Sequence, residues 1–131
     1  MSACISPTTG YSGQYGSHPI GHGHPLLEDG TVAPYGALSF LPFTPKESID
    51  ALEYMYRIPG LVGKYGLYDA YSYKTKAKGD QPWIAESYLG IDKGLVLLMF
   101  ENYSTQLIWK LLHSNQNIRS GLEVLGFVGV P

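Results

Sequence analysis

At 131 residues, with 44% apolar and 13% aromatic content, the chain has enough to bury one hydrophobic core and is short for more than one domain. Charged residues make up 15% and the formal net charge is −2, which excludes the basic footprint of a nucleic-acid or anionic-membrane binder. Cys4 is the only cysteine, which excludes an internal disulfide and a multi-thiolate metal centre.

Residues 1–7 show neither the basic start nor the apolar stretch of an export signal. The longest strongly apolar run, Leu95 to Phe100, is six residues, against roughly 20 for a membrane helix. No membrane partner is expected, and the location stays open.

Residues 1–31 read as loop-rich, because Pro7, Gly10, Gly13, Gly16, Pro19, Gly21, Gly23, Pro25 and Gly30 interrupt any helical period. His18, His22 and His24 within this stretch could chelate zinc or copper through imidazole nitrogens. Their spacing matches no strong metal signature, and a solvated or substrate-lining loop is the simpler reading. Neither a metal nor a cofactor is expected.

Residues 32–131 read as a helical core. A short helix is expected from about Ala33 to Leu41. Thr44 as N-cap, Pro45 at the first helical position and Glu47 completing a capping box then predict a helix from Pro45 to Arg57. Ile49, Leu52 and Tyr56 form its apolar stripe, and Lys46, Asp50, Glu53 and Arg57 its wet face. Gly60, Gly63 and Gly66 break the chain before an aromatic stretch, Tyr65 to Tyr73, that reads as extended, and Lys74, Lys76, Lys78 and Gly79 read as a solvated loop. From Ile91 to Glu101 the pattern is apolar on every side, which predicts a helix buried all round. Leu107, Ile108, Leu111 and Leu112 make a one-sided stripe. Asn115 is placed to cap a last helix carrying Ile118, Leu122 and Leu125 and ended by Gly126. The fold class is mainly α with long loops. A two-layered helical ring and a compact bundle both satisfy the pattern.

Cleaving a glycosidic bond usually takes two carboxyl groups, one protonated and one ionised. Asp69 stands among Tyr65, Tyr68, Tyr71 and Tyr73, where desolvation would raise its pKa, unless it merely accepts backbone N–H groups in a turn. Asp92 opens the apolar helix, where capping is the plain reading. Glu101 lies at the other end, where the dipole disfavours an anion, so it needs a partner such as Lys110, Arg119 or a ligand hydroxyl. Glu86 reads as surface. Of seventeen aromatic residues, eleven are tyrosines, and flat rings with a polar edge suit sugars. Most must be core; Tyr35, Tyr68, Trp83 and Tyr88 are the candidate stacking positions.

Three stretches together resemble the glycoamylase-like family of glycoside hydrolases, some of which cleave β-1,2-glucans. They are residues 30–37 with 41–45 (GTVAPYGA, LPFTP), residues 65–71 (YGLYDAY), and residues 88–94 (YLGIDKG) running into Leu98-Met99-Phe100-Glu101-Asn102-Tyr103. The tail Asn117 to Leu122 is similar too. The resemblance implies the C-terminal portion of an (α/α)6 toroid acting on a β-glucan or related oligosaccharide. It carries Asp69 over as the water-activating base and Asp92 and Glu101 as pocket-supporting residues. It also implies an acidic residue where this chain has Ile5, and commonly Gln where it has Lys93, so that the general acid would come from residues absent here. A non-catalytic carbohydrate-binding remnant is the alternative. In either case exposed apolar flanks of an incomplete ring predict self-association.

Overall fold

The computed structural model describes residues 2–7, 10–15, 30–76 and 79–127. Helices take up about half of them, and the rest includes three small antiparallel sheets. No helix among them is long and apolar enough to cross a membrane.

The loop expected near the start contains a hairpin, β1 (Ser2–Ser6) paired with β2 (Gly10–Tyr15). Glycine and proline exclude a helix there without excluding a turn, and Gly10 enters its strand at φ +72°. His18, His22 and His24 lie outside the described residues.

β3 (Thr31–Val32) leads into α1 (Pro34–Leu38), which starts with proline at its first position and gives way to turns before Leu41. α2 (Pro45–Tyr56) lies where Pro45 predicts it, but no capping box forms. Thr44 Oγ1 instead turns back to donate to the Phe40 carbonyl at 3.4 Å. The wet face is as expected, with ion pairs Lys46–Asp50 and Glu53–Arg57. The buried face differs: Ser48 and Met55 are enclosed, Ala51 and Leu52 pack inward, and Ile49 and Tyr56 stay about half exposed. The helix is turned by one residue because Ser48 Oγ donates to the Ala37 carbonyl at 2.9 Å, pinning α2 to α1.

β4 (Val62–Gly63) and β5 (Gly66–Leu67) form a short hairpin. β6 (Ala70–Lys76) is the centre of a three-stranded sheet between β3 and β7 (Pro82–Ala85). Lys74 and Lys76, expected in a solvated loop, therefore belong to a strand. Lys74 faces Gly30, where an added Cβ would come within 2.6 Å of the Lys74 Cβ. The main buried cluster (Leu38, Met55, Ile58, Leu61, Leu67 and Tyr71) joins α1 and α2 to the strands, so helices and sheet share it. A smaller one, Ala33, Ala70 and Ala85, lies beneath Trp83 and Tyr35.

α3 (Gly90–Thr105) overturns the expectation of a helix buried all round. Only Asp92 and Asn102 are enclosed, while Ile91 and Leu97 are each 70% exposed. Among the described residues, the helix packs mainly on α1 and on the helix that follows it. Gln106, at φ +59°, turns the chain into α4 (Leu107–Ser114), and fully buried Asn102 accepts the Trp109 N–H at 3.1 Å across that corner. Asn115 Oδ1 then caps α5 (Gln116–Val124), accepting from Asn117 N at 2.9 Å and Ile118 N at 3.4 Å, as expected. Gly126 follows at φ +81°.

Candidate active site

Two elements deliver the carboxyl groups. The link between β5 and β6 is held by main-chain bonds, Tyr68 N to Leu61 O at 2.9 Å and Asp69 N to Ser87 O at 3.0 Å. This buries Asp69 to 4% exposure beneath β1, where its Oδ2 accepts the Ile5 N–H at 2.7 Å. The first turn of α3 brings in Asp92, also 4% exposed. Asp92 does not cap its helix: Leu89 occupies that position, and neither Asp92 oxygen takes a bond from a backbone N–H.

The two carboxyl groups lie within hydrogen-bonding reach of each other, which requires one of them to carry a proton. Burial, then the hydrogen bond to Asp69, then the Asp69 charge push the Asp92 pKa up to about 7, and Lys93 pulls weakly the other way. Asp69 thus takes the long-range Ile5 N–H, a tertiary arrangement and not the local turn that its sequence also allowed.

The pair opens on a cavity of about 280 Å³ lined by Tyr35, Tyr56, Tyr68 and Lys93, with an apolar floor that includes Leu38, Leu52 and Val96. Tyr88 stands behind this wall. Its ring lies 5.0 Å from Tyr68 and 5.4 Å from Tyr65, its hydroxyl accepts the Tyr65 N–H at 3.1 Å, and it bonds the Tyr68 hydroxyl. Burial, followed by Tyr88 and Glu86, raises the Tyr68 pKa above that of an ordinary tyrosine. Gly63 makes this stack possible, because a Cβ there would overlap Tyr88 Oη and the Tyr68 ring. Lys93 Nζ donates to the Leu67 carbonyl and sits 5.4 Å over the Tyr88 ring.

Of the residues singled out from sequence, Asp69, Asp92, Tyr35 and Tyr68 line this one cavity. Tyr88 supports it from behind. Trp83 does not line this cavity and is partly buried against the alanine cluster. Glu101 is exposed on α3 and accepts from Thr105 Oγ1 at 2.7 Å; Lys110, a suggested partner, donates instead to the Thr105 carbonyl. Glu86 is exposed, as expected. Tyr56 and Ile5 were not read as site residues. Tyr56 looked like core by period, and only the return of β1 over Asp69 reveals Ile5.

A retaining glycosidase separates its carboxyl groups by about 5–5.5 Å and an inverting one by about 6.5–9.5 Å. Asp69 and Asp92 lie within reach of each other, closer than either spacing.

The family model Glycoamylase, described as "Putative glucoamylase", matches residues 1–116. The chain belongs to this family. It is 36% identical over 101 residues to an exo β-1,2-glucooligosaccharide sophorohydrolase of Parabacteroides distasonis, a match covering 76% of this chain and 13% of that protein. The structure is similar to an endo-β-1,2-glucanase from Chitinophaga pinensis, solved with sophorotriose and glucose, at TM-score 0.66 and 35% identity over 92% of this chain and 26% of that one. A β-1,2-glucanase from Parabacteroides distasonis gives TM-score 0.66 at 32% identity over 92% and 16%. The chain thus spans between 13% and 26% of the length of these relatives.

Proposed function

We propose that this chain forms part of a β-glucan-hydrolysing site, in which Asp69 activates the attacking water and Tyr35 and Tyr68 hold the sugar. The observation that carries the reading is a buried carboxylate, held by the Ile5 N–H, on a cavity walled by tyrosines. Sophorotriose in a similar structure supports a β-1,2-linked substrate. The general acid comes from residues outside this chain, because Asp92 stands too close to Asp69 to protonate a leaving oxygen across the sugar. We further read α3, α4 and α5 as C-terminal helices of an (α/α)6 ring whose missing layer would cover the exposed face of α3.

The test is calorimetry of the chain with sophorotriose beside a reducing-sugar assay on β-1,2-glucan. Sophorotriose binds the chain, and Tyr68→Ala weakens it by about tenfold, equivalent to roughly 1.4 kcal/mol. In a longer chain that supplies the general acid, Asp69→Asn lowers product release by about 10²-fold or more while leaving affinity nearly unchanged. No binding by the unaltered chain sinks the sugar reading. Binding without product release favours a non-catalytic carbohydrate-binding chain, a reading supported by the small share of its relatives that the chain spans.

A further inference from the structure

Asp92 brings two buried oxygens to the cavity that no N–H or hydroxyl reaches, and one Asp69 oxygen is in the same position. A chain that gained nothing from a second acid there would do better with an asparagine or an apolar residue, since a buried carboxyl without donors is costly. What Asp92 does have is Asp69. Asp69 itself meets a main-chain donor, the Ile5 N–H of β1.

We infer that Asp92 is the positioning residue of this site: as a carboxylic acid it donates its proton to Asp69, clamping that carboxylate between itself and the Ile5 N–H. The inference rests on the reading of Asp69 given above, but its geometry is independent of any sugar. Among the described residues, the other titratable groups on this cavity are Tyr35 from α1, Tyr56 from α2, Tyr68 beside Asp69, and Lys93 from α3 itself. Lys93 is the one cation, and it is held away by the Leu67 carbonyl and the Tyr88 ring, so it does not ion-pair the acid into ionising. Replacing Asp92 by asparagine preserves a donor to Asp69; replacing it by leucine does not.

The experiment is a carboxyl ¹³C NMR titration of the unliganded chain, in which five aspartates give resolvable signals. Asp92 titrates near pH 7, and in Asp69→Asn its midpoint falls by about one pH unit or more as the partner charge is lost. The sign for stability follows. Between about pH 4 and 7 the folded chain holds a proton at Asp92 that the unfolded chain releases, so this contribution is present at low pH and lost as pH rises through that window. Asp92→Asn therefore gains stability relative to the unaltered chain from pH 5 to pH 8, and keeps the Asp69 signal in place; Asp92→Leu shifts that signal. An Asp92 midpoint near pH 4 in the unaltered chain, or the same Asp69 shift in both variants, overturns the inference. Because no sugar is present, a chain that fails to bind sophorotriose leaves this result standing. An ordinary Asp92 beside intact sugar binding removes Asp92 while sparing the proposed function.

Discussion

The segment from Ala33 to Ala85 and the segment from Leu107 to Phe127 are both rich in apolar side chains, yet they have opposite fates. In the first, Leu61 and Ala70 are wholly enclosed and Leu38, Met55, Ile58 and Leu67 nearly so. In the second, α4 and α5 contain no buried residue, and Leu111, Leu125 and Phe127 are 59%, 73% and 64% exposed. Trp109 is the link back to the body, with its ring 5.9 Å from Phe43. An amphipathic pattern suffices to make a helix with a preferred side, but burial needs a second surface. The strands supply one to α1 and α2, and nothing among the described residues supplies one to α4 and α5. That is why apolar content predicts a core without saying which residues fill it.

The sharpest test of the contrast is to cut the same side chain from both segments. Leu61→Ala opens a cavity in the main cluster and costs about 2–5 kcal/mol. Leu111→Ala removes a side chain already 59% exposed and costs about 0.5 kcal/mol or less. Urea unfolding followed by tryptophan fluorescence reads both. Equal costs would show that α4 packs in solution against a surface the monomer does not offer.

An intermediate effect concerns that surface. Uncovered leucines on α4 and beyond α5 predict that the isolated chain self-associates. Leu111→Lys combined with Leu125→Lys shifts its sedimentation toward the monomer and leaves its unfolding midpoint almost unchanged. A chain that sediments as a monomer before any substitution contradicts the claim that these faces want a partner.

These particulars also show what could be read in advance. Helix positions marked by local chemistry were legible, such as Pro45 opening α2 and Asn115 capping α5. The family was legible through short motifs. Features that depend on a distant neighbour were not. Ser48 rather than Ile49 faces inward because of a carbonyl eleven residues away. Trp83 read as part of a loop because Pro82 gave no hint of β7. The pairing of Asp92 with Asp69 looked like helix capping because a carboxylate in the first turn of a helix has a sufficient local explanation. Asp69, which shares its cavity, comes from a separate strand junction, and sequence spacing does not encode that proximity.

The smallest expected effect tests whether the C-terminal helices are coupled to the body at all. Asn115 Oδ1 satisfies two otherwise free N–H groups at the start of α5, and Asn115→Ala loses a cap worth about 1 kcal/mol to that helix. If α5 were part of the cooperative core, this loss would appear in full in the global unfolding free energy. With no buried residue in α5, it appears instead as local fraying: faster amide hydrogen exchange from Asn117 to Val124, and no measurable change at Leu61 or Tyr71. Exchange that quickens equally in both segments would mean that the exposed helices and the buried body unfold as one unit, and the contrast between them would then be one of exposure alone and not of stability.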